Sequence, residues 1–206
     1  MKKCFAIFMF LFSLSTANDA IEQFDISPQN QPKSKFLPAQ VNSPYYASFG
    51  VHFSYANFTH PQLFNVHSLN SLIFTLDMGW LLNEEKGYDT LIGLYLDGAA
   101  GGGKSNALYG LFGGVKIGGR LWDGRVIPFL KLGMKLTHFP FEYQNRQFNT
   151  YGLDAEVGAF FDVGQGYGIN LSYRYGYNYA YQLKLNNIHT SVVMLGFSFY
   201  DFSLGW

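Results

Sequence analysis

The sequence predicts an all-β chain, an eight-stranded antiparallel up-and-down transmembrane β-barrel, on three observations. The first is alternation. Bulky apolar or aromatic residues alternate with Gly, polar or charged ones in stretch after stretch, most cleanly from Tyr167 to Tyr179, where every odd position is large. On a helix, residues two apart lie about 200° apart and such a set makes no face, whereas a strand gives it one apolar and one polar side. The second is composition: aromatic residues make up 19% of the chain and charged residues only 14%, against roughly 25% charged in an ordinary soluble domain. The third is that no run of 18 or more apolar residues exists. Apolarity is therefore diluted by alternation, as in a barrel wall, and not concentrated in a helical span.

The amino end has its own character. Met1-Lys2-Lys3, the apolar stretch from Cys4 to Leu14, and Ser15-Thr16-Ala17 read as a secretory signal peptide over residues 1–17, cleaved after Ala17. Cys4 precedes the apolar stretch, the wrong place for a lipoprotein cleavage site, and leaves with the signal. The mature chain then has no disulfide, thiolate nucleophile or cysteine metal site. Without Lys2 and Lys3, 12 basic residues face 14 acidic ones, a near-neutral balance that argues against nucleic acid as a partner. Residues 18–43 are polar, contain Pro28, Pro32 and Pro38, and show neither period. They are expected to be a flexible periplasmic leader or a partial plug of the barrel, which spans residues 44–206.

Taken in order, the first strand directs Tyr45, Ala47, Phe49, Val51, Phe53 and Tyr55 to one side and Tyr46, Ser48, Gly50, His52 and Ser54 to the other. After a loop over 57–68, the second sends Leu72, Phe74, Leu76, Met78 and Trp80 outward against Ser71, Thr75, Asp77 and Gly79. A charged turn at 83–87 leads to the third, with Ile92, Leu94 and Leu96 outside and Gly93, Tyr95 and Asp97 inside. The glycine-rich stretch 98–106 is expected to be a loop. In the fourth strand Tyr109, Leu111, Val115 and Ile117 oppose Phe112, Gly114, Lys116 and Arg120, and Asp123-Gly124 signals a tight hairpin. The fifth places Leu130, Leu132, Met134 and Leu136 outside and Lys131, Gly133, Lys135 and Thr137 inside, with Pro128 tolerable near its start. A loop is expected over 138–149. The sixth alternates Tyr151, Leu153, Ala155, Val157, Ala159 and Phe161 with Asp154, Glu156, Gly158 and Asp162, and Gly164-Gln165-Gly166 turns into the seventh, Tyr167 to Tyr179. A last loop over 181–187 precedes the eighth, which carries Val193, Leu195, Phe197 and Phe199 on one face.

Periodicity alone does not distinguish this from a soluble barrel of the lipocalin kind, which would put its apolar face inside. Two features favour lipid. Gly and charged residues share one face, which suits a narrow interior filled by side chains. The other face carries aromatics near strand ends, namely Tyr55, Trp80, Tyr109, Tyr151, Tyr167, Tyr177 and Tyr179, an expected interfacial girdle. Short connections alternating with longer ones add the pattern of periplasmic turns and outer loops, with both chain ends periplasmic.

On these residues, 44–206 resembles the small eight-stranded outer-membrane barrels, of which the OmpA transmembrane domain and OmpX are members. The resemblance rests on alternation and not on a diagnostic motif. It implies contact with outer-membrane lipid and lipopolysaccharide, and a terminal aromatic signal read by the outer-membrane assembly machinery, for which Trp206, Phe202 and Tyr200 are the candidates. Phe197 and Phe199 have the opposite parity to Phe202, Leu204 and Trp206. Either a bulge intervenes, or the last strand stops near Tyr200.

Three constellations carry possible chemistry. Gly98-Ala99-Ala100-Gly101-Gly102-Gly103-Lys104-Ser105 matches the P-loop pattern, but such a loop must open a helix, and Asn106 to Leu121 contains five glycines and alternates. No nucleotide is expected. His189-Thr190-Ser191 looks like the His-x-Ser pair of the outer-membrane lipid A deacylases, on one side of a strand near its loop end. No Glu follows to orient the histidine, Asp201 lies at the far end of the strand, and in that family the pair sits one strand earlier.

The inward charges are the best determined. Asp77, Asp97, Asp154, Glu156 and Asp162 are matched by Lys116, Arg120, Lys131, Lys135 and Arg174. Counting across the turn at Gln165 sets Arg174 opposite Glu156, and counting across the 138–149 connection sets Lys131 opposite Glu156 too. A neutralised network filling the lumen is expected, because a buried charge without a partner is costly. The functional expectation is a non-enzymatic outer-membrane barrel with a structural or surface-contact role and no cofactor or metal. A lipid A-modifying enzyme and a small ion-conducting pore are the alternatives.

Overall fold

The computed structural model describes residues 37–59, 68–83, 89–103, 106–143, 146–181 and 185–203. The signal peptide, leader residues 18–36 and Trp206 lie outside the described residues. Pro38–Trp206 forms one compact unit. Eight strands run in chain order: β1 (Tyr45–Phe58), β2 (Ser68–Asn83), β3 (Asp89–Gly103), β4 (Asn106–Arg120), β5 (Val126–Tyr143), β6 (Arg146–Gly164), β7 (Tyr167–Ala180) and β8 (Leu185–Asp201). Each pairs antiparallel with its neighbours, and β8 returns to β1 to close the barrel. Closure leaves no edge strand, so every ladder donor and acceptor has a neighbour to bond, the condition for a sheet to sit in hydrocarbon.

At one end the chain reverses tightly. Between β6 and β7, Gln165 and Gly166 take φ of 55° and 87°, the left-handed pair that a two-residue hairpin turn needs to match strand twist. Between β4 and β5, Leu121 bridges Val126, and Trp122, Asp123 and Gly124 all have positive φ.

Two expected loops are strand instead. The glycine-rich stretch continues β3 to Gly103, with Gly98 paired to Leu111 and Gly102 to Ala107. A Cβ on Gly101 would run into the side chain of Ser71 and the carbonyl of Asn70. Glycine there serves close approach of β2 to β3 and not a mobile loop. Likewise β5 runs on to Tyr143 and β6 begins at Arg146, with His138 opposite Asn149 and a register shift between Phe139 and Tyr143, around Pro140. Ladder hydrogen bonding there overrides the missing alternation. β8 ends at Asp201, so no bulge is needed to reconcile the parities of Phe199 and Phe202.

Burial follows the alternation strand by strand: in β7 the even residues are buried and the odd ones face out. The outer wall is apolar, with Phe53 and Phe197 70% and 72% exposed. The lumen is filled in layers. At the turn end Tyr46, Leu81, Leu91, Ile127, Phe160 and Tyr200 pack together with Phe202. Toward the other end Phe58, Leu69, Ile73, Tyr95, Phe112 and Ile188 form a second apolar cluster. Residues just before β1 join the turn-end layer. Ala39 and Val41 pack on it, Asn42 N donates to Phe202 O at 3.0 Å, and Leu81 N donates to Pro44 O at 2.7 Å.

Candidate functional site

Between the apolar layers lie the inward charges. Strand pairing sets Lys116 beside Lys131, Lys131 beside Glu156, and Glu156 beside Arg174, one inward row across β4 to β7. Two lysines side by side repel, and Asp77 from β2 lies between them, 2.5 Å from Lys116 Nζ and 3.0 Å from Lys131 Nζ. Lys131 reaches on to Asp97 at 3.2 Å. Asp97 is bonded in turn by Arg174 Nη2, and Arg174 also holds Glu156 (Nε and Nη2 to Oε2, 3.0 and 2.5 Å) and approaches Asp154 at 3.5 Å. The result is a chain of alternating sign, Lys116–Asp77–Lys131–Asp97–Arg174–Glu156, drawn from six different strands.

Every member of that chain is at most 3% exposed. Bulk water does not reach these charges, so neighbouring side chains solvate them. Ser48 Oγ donates to Asp77 at 2.7 Å, Lys116 Nζ donates to Tyr200 Oη at 2.6 Å, and Tyr95 Oη donates to Asp154 at 3.4 Å. Aromatic faces cover the cations: Lys131 Nζ sits 4.8 Å from the Tyr95 ring centroid, Lys116 Nζ 4.7 Å from Tyr200, and the Arg174 guanidinium 4.5 Å from Phe112.

The remaining expected charges are placed differently. Glu156 is paired with Arg174 alone among the described residues, because the neighbouring Lys131 turns to Asp77 and Asp97. The centre of the network is therefore Arg174 with Asp97, not Glu156 between two cations. Arg120 is apart from it, at the turn end, 2.6 Å from Asp89 and 3.1 Å from the Ala39 carbonyl. Asp89 was not among the sequence candidates, although it shares the inward parity of Gly93, Tyr95 and Asp97. Asp162 makes no ion pair among the described residues. It accepts from the backbone N–H groups of Gly164 (2.6 Å), Gly166 (3.1 Å) and Ala39 (3.0 Å), fixing both the turn and the segment before β1. Lys135 donates to Thr190 Oγ1 at 2.6 Å and has no carboxylate within ion-pair distance among the described residues.

The aromatic candidates lie on the outer wall in two groups: Trp80 and Tyr167 at the turn end, and Tyr55, Tyr109, Tyr151, Tyr177 and Tyr179 toward the other. Tyr167 and Tyr177 are ten residues apart on β7, about 33 Å along a strand. At a tilt of roughly 40° that is about 25 Å of height, the apolar band of an outer-membrane barrel. Tyr200 and Phe202 instead point inward, stacked at 6.0 Å between ring centroids, and Phe199 is the outward aromatic beside them, 4.5 Å from Tyr167.

His189 and Ser191 are also on the outer wall. The Tyr175 hydroxyl lies 2.7 Å from His189 Nδ1, and Tyr173 Oη donates to Ser191 Oγ at 3.0 Å. The group orienting the histidine is a phenol, not the carboxylate of a hydrolytic triad. The P-loop match cannot cradle phosphate as a P-loop does: Gly98 to Gly103 are in a strand ladder and Asn106–Arg120 is a strand, with Lys104 and Ser105 outside the described residues. Among the described residues no group of three His, Cys, Asp or Glu is placed to hold a metal.

A closed eight-stranded antiparallel barrel with an apolar, aromatic-rimmed wall and a packed lumen is a transmembrane β-barrel, with the fold of the small outer-membrane barrels. Solved structures agree. Neisserial surface protein A matches with a TM-score of 0.52 at 14% identity, over 76% of this chain and 97% of its own. Ail, the attachment invasion locus protein of Yersinia pestis, matches with a TM-score of 0.51 at 15% identity, over 77% of this chain and 99% of its own. The outer membrane enzyme PagL aligns at 12% identity over 73% of this chain and 98% of its own, with a TM-score of 0.48 that says nothing of this chain's chemistry. No family model and no curated protein matches the sequence.

Proposed function

We propose that the protein is an integral outer-membrane barrel that acts through its outer wall and loops, in envelope structure or surface contact, with both chain ends in the periplasm. The observation that carries this is the lumen: a dry chain of ion pairs drawn from six strands, between two apolar layers, leaves eight strands' worth of interior to side chains. Residues 1–17 are the export signal in this reading, and the two aromatic groups anchor the wall among lipid and lipopolysaccharide. The carboxyl-terminal aromatics, Trp206 with Phe202 and Tyr200, serve the assembly machinery. The inward-facing two of these are accessible to it only before the barrel closes. Outer-membrane fractionation followed by heat-modifiable gel migration tests the location; a soluble or inner-membrane protein ends the proposal. Planar-bilayer recording tests the lumen, where a steady conductance would favour a pore.

A second reading is favoured by two contacts. Tyr175 and Tyr173 hold His189 and Ser191 on the lipid-facing wall, where an acyl chain is within reach. Mass spectrometry of lipid A from cells with the protein, without it, and with His189→Ala decides this; identical lipid A in all three removes the enzyme.

A further inference from the structure

The ion-pair chain leaves two cationic groups with donors to spare, and they line the same cavity. Its volume is about 40 Å³; Lys135 and Arg174 are the charged residues of its lining, with Thr190 and Asn178 among several neutral polar ones and Phe112 on its apolar side. Lys135 is 6% exposed, and among the described residues Thr190 Oγ1 is the one acceptor for its three ammonium donors. Arg174 spends Nε and Nη2 on Glu156 and Asp97, while its Nη1, also buried, has no hydrogen-bond partner among the described residues. No carboxylate lines the cavity among the described residues, because the acids of the chain are turned to Lys116, Lys131 and the other nitrogens of Arg174.

Buried donors on charged groups are rarely left unmade, since each carries the full desolvation cost of its group. Water satisfies such donors in part, but it brings no charge to two neighbouring cations in a low-dielectric site. We propose that this cavity binds one halide-sized inorganic anion, held by Lys135 Nζ, Arg174 Nη1 and the Thr190 hydroxyl. The volume suits that class. A cavity needs roughly 10–15 Å³ to seat one water, so about 40 Å³ has room for a monatomic anion. The cation contact to Phe112 holds the guanidinium plane in place at 4.5 Å from the ring centroid, so the site is prearranged and not assembled by the ion.

The test uses the full barrel in detergent with chloride and bromide as probes. Chloride NMR line width is expected to show saturable excess broadening that bromide competes away and sulfate does not. Lys135→Met should weaken it by roughly tenfold or more, the fold-change expected on losing one charged hydrogen bond, and Lys135→Arg should retain it. Crystals grown in bromide should show an anomalous peak between Lys135 and Arg174. A missing peak, equal competition by sulfate, or broadening unchanged in Lys135→Met overturns the site. Where Lys135→Met does not assemble, the bromide position in the unaltered protein decides alone.

Discussion

Arg174→Met is the most informative single change. The side chain is 1% exposed and ties together Asp97, Glu156 and Asp154. Once it is removed, Asp97 keeps Lys131 at 3.2 Å, but Glu156 and Asp154 each lose the one ion-pair partner they have among the described residues. Leaving even one buried charge unpaired costs about 3–5 kcal/mol. With a urea slope of about 2–3 kcal/mol per molar, the unfolding midpoint falls by about 1–2.5 M. Trp80 and Trp122 on the turn-end wall report the transition by fluorescence, and heat-modifiable migration reports the barrel. Pairing Arg174→Met with Glu156→Leu removes both charges, and the midpoint is then expected to recover part of the way, since a whole buried pair replaced by apolar groups is near neutral. Arg120→Met is the comparison: Asp89 is 24% exposed at the barrel mouth and keeps access to water when the pair is broken, so the midpoint is expected to fall less than for Arg174→Met. A midpoint for Arg174→Met within about 0.5 M of the unaltered protein, or a double variant no better than the single, would refute a dry, coupled network.

Three further outcomes follow from the wall, the glycines and the turn. Leu195→Arg, on the outer wall and 55% exposed, should destabilise the protein by about 2–4 kcal/mol when it unfolds from bilayers; a water-facing wall would make it nearly neutral. Gly93→Val sets a Cβ against the Met78 carbonyl and 2.6 Å from Tyr46 Oη, so overpacking should cost about 1–3 kcal/mol, read as a lower denaturation midpoint. Asp162→Ala takes the acceptor from Gly164, Gly166 and Ala39. A loss of about 1–2 kcal/mol is expected, together with faster hydrogen exchange at Ala39; protection unchanged there would mean the segment before β1 is held by its other contacts, the Arg120 bond to the Ala39 carbonyl and the backbone bonds of Asn42 and Pro44.

The barrel was legible in the sequence because one variable, parity, fixes it. A residue two positions along a strand returns to the same face, so Asp77, Asp97, Lys116, Lys131, Glu156 and Arg174 declare themselves inward without any knowledge of tertiary structure. Adjacent-strand neighbours are legible as well, since a two-residue turn at Gln165 fixes Arg174 opposite Glu156 by counting. Parity stops there. Whether Lys131 turns to Glu156 beside it or to Asp77 across the lumen depends on side-chain reach through the interior, where Gly93 and Gly133 leave room for the hydroxyls of Tyr46 and Tyr95. The length of β3 was illegible for a related reason. Glycine in 98–103 carries no side chain to alternate, so a strand chosen for close approach to Ser71 reads as a loop.

The ion-pair chain also bears on how the barrel reaches one register. Its acids come from β2, β3 and β6 and its cations from β4, β5 and β7, so no single hairpin of two consecutive strands contains it. Within the β4–β5 hairpin the neighbours are Lys116 and Lys131, which repel; within β2–β3, Asp77 and Asp97 are both acids. Among the described residues, attractive neighbours are confined to Lys131 with Glu156 across β5–β6, Glu156 with Arg174 across β6–β7 and, outside the network, Asp89 with Arg120 across β3–β4. The like charges within β2–β3 and within β4–β5 therefore stay uncompensated until Asp77 reaches Lys116 and Lys131, which requires the strands to have curled toward one another. A one-residue slip in any of them would turn its charges into lipid, at a cost of kilocalories each. The network thus rewards the closed barrel in its native register and penalises the open sheet, a discrimination that an apolar filling of the same lumen would not supply.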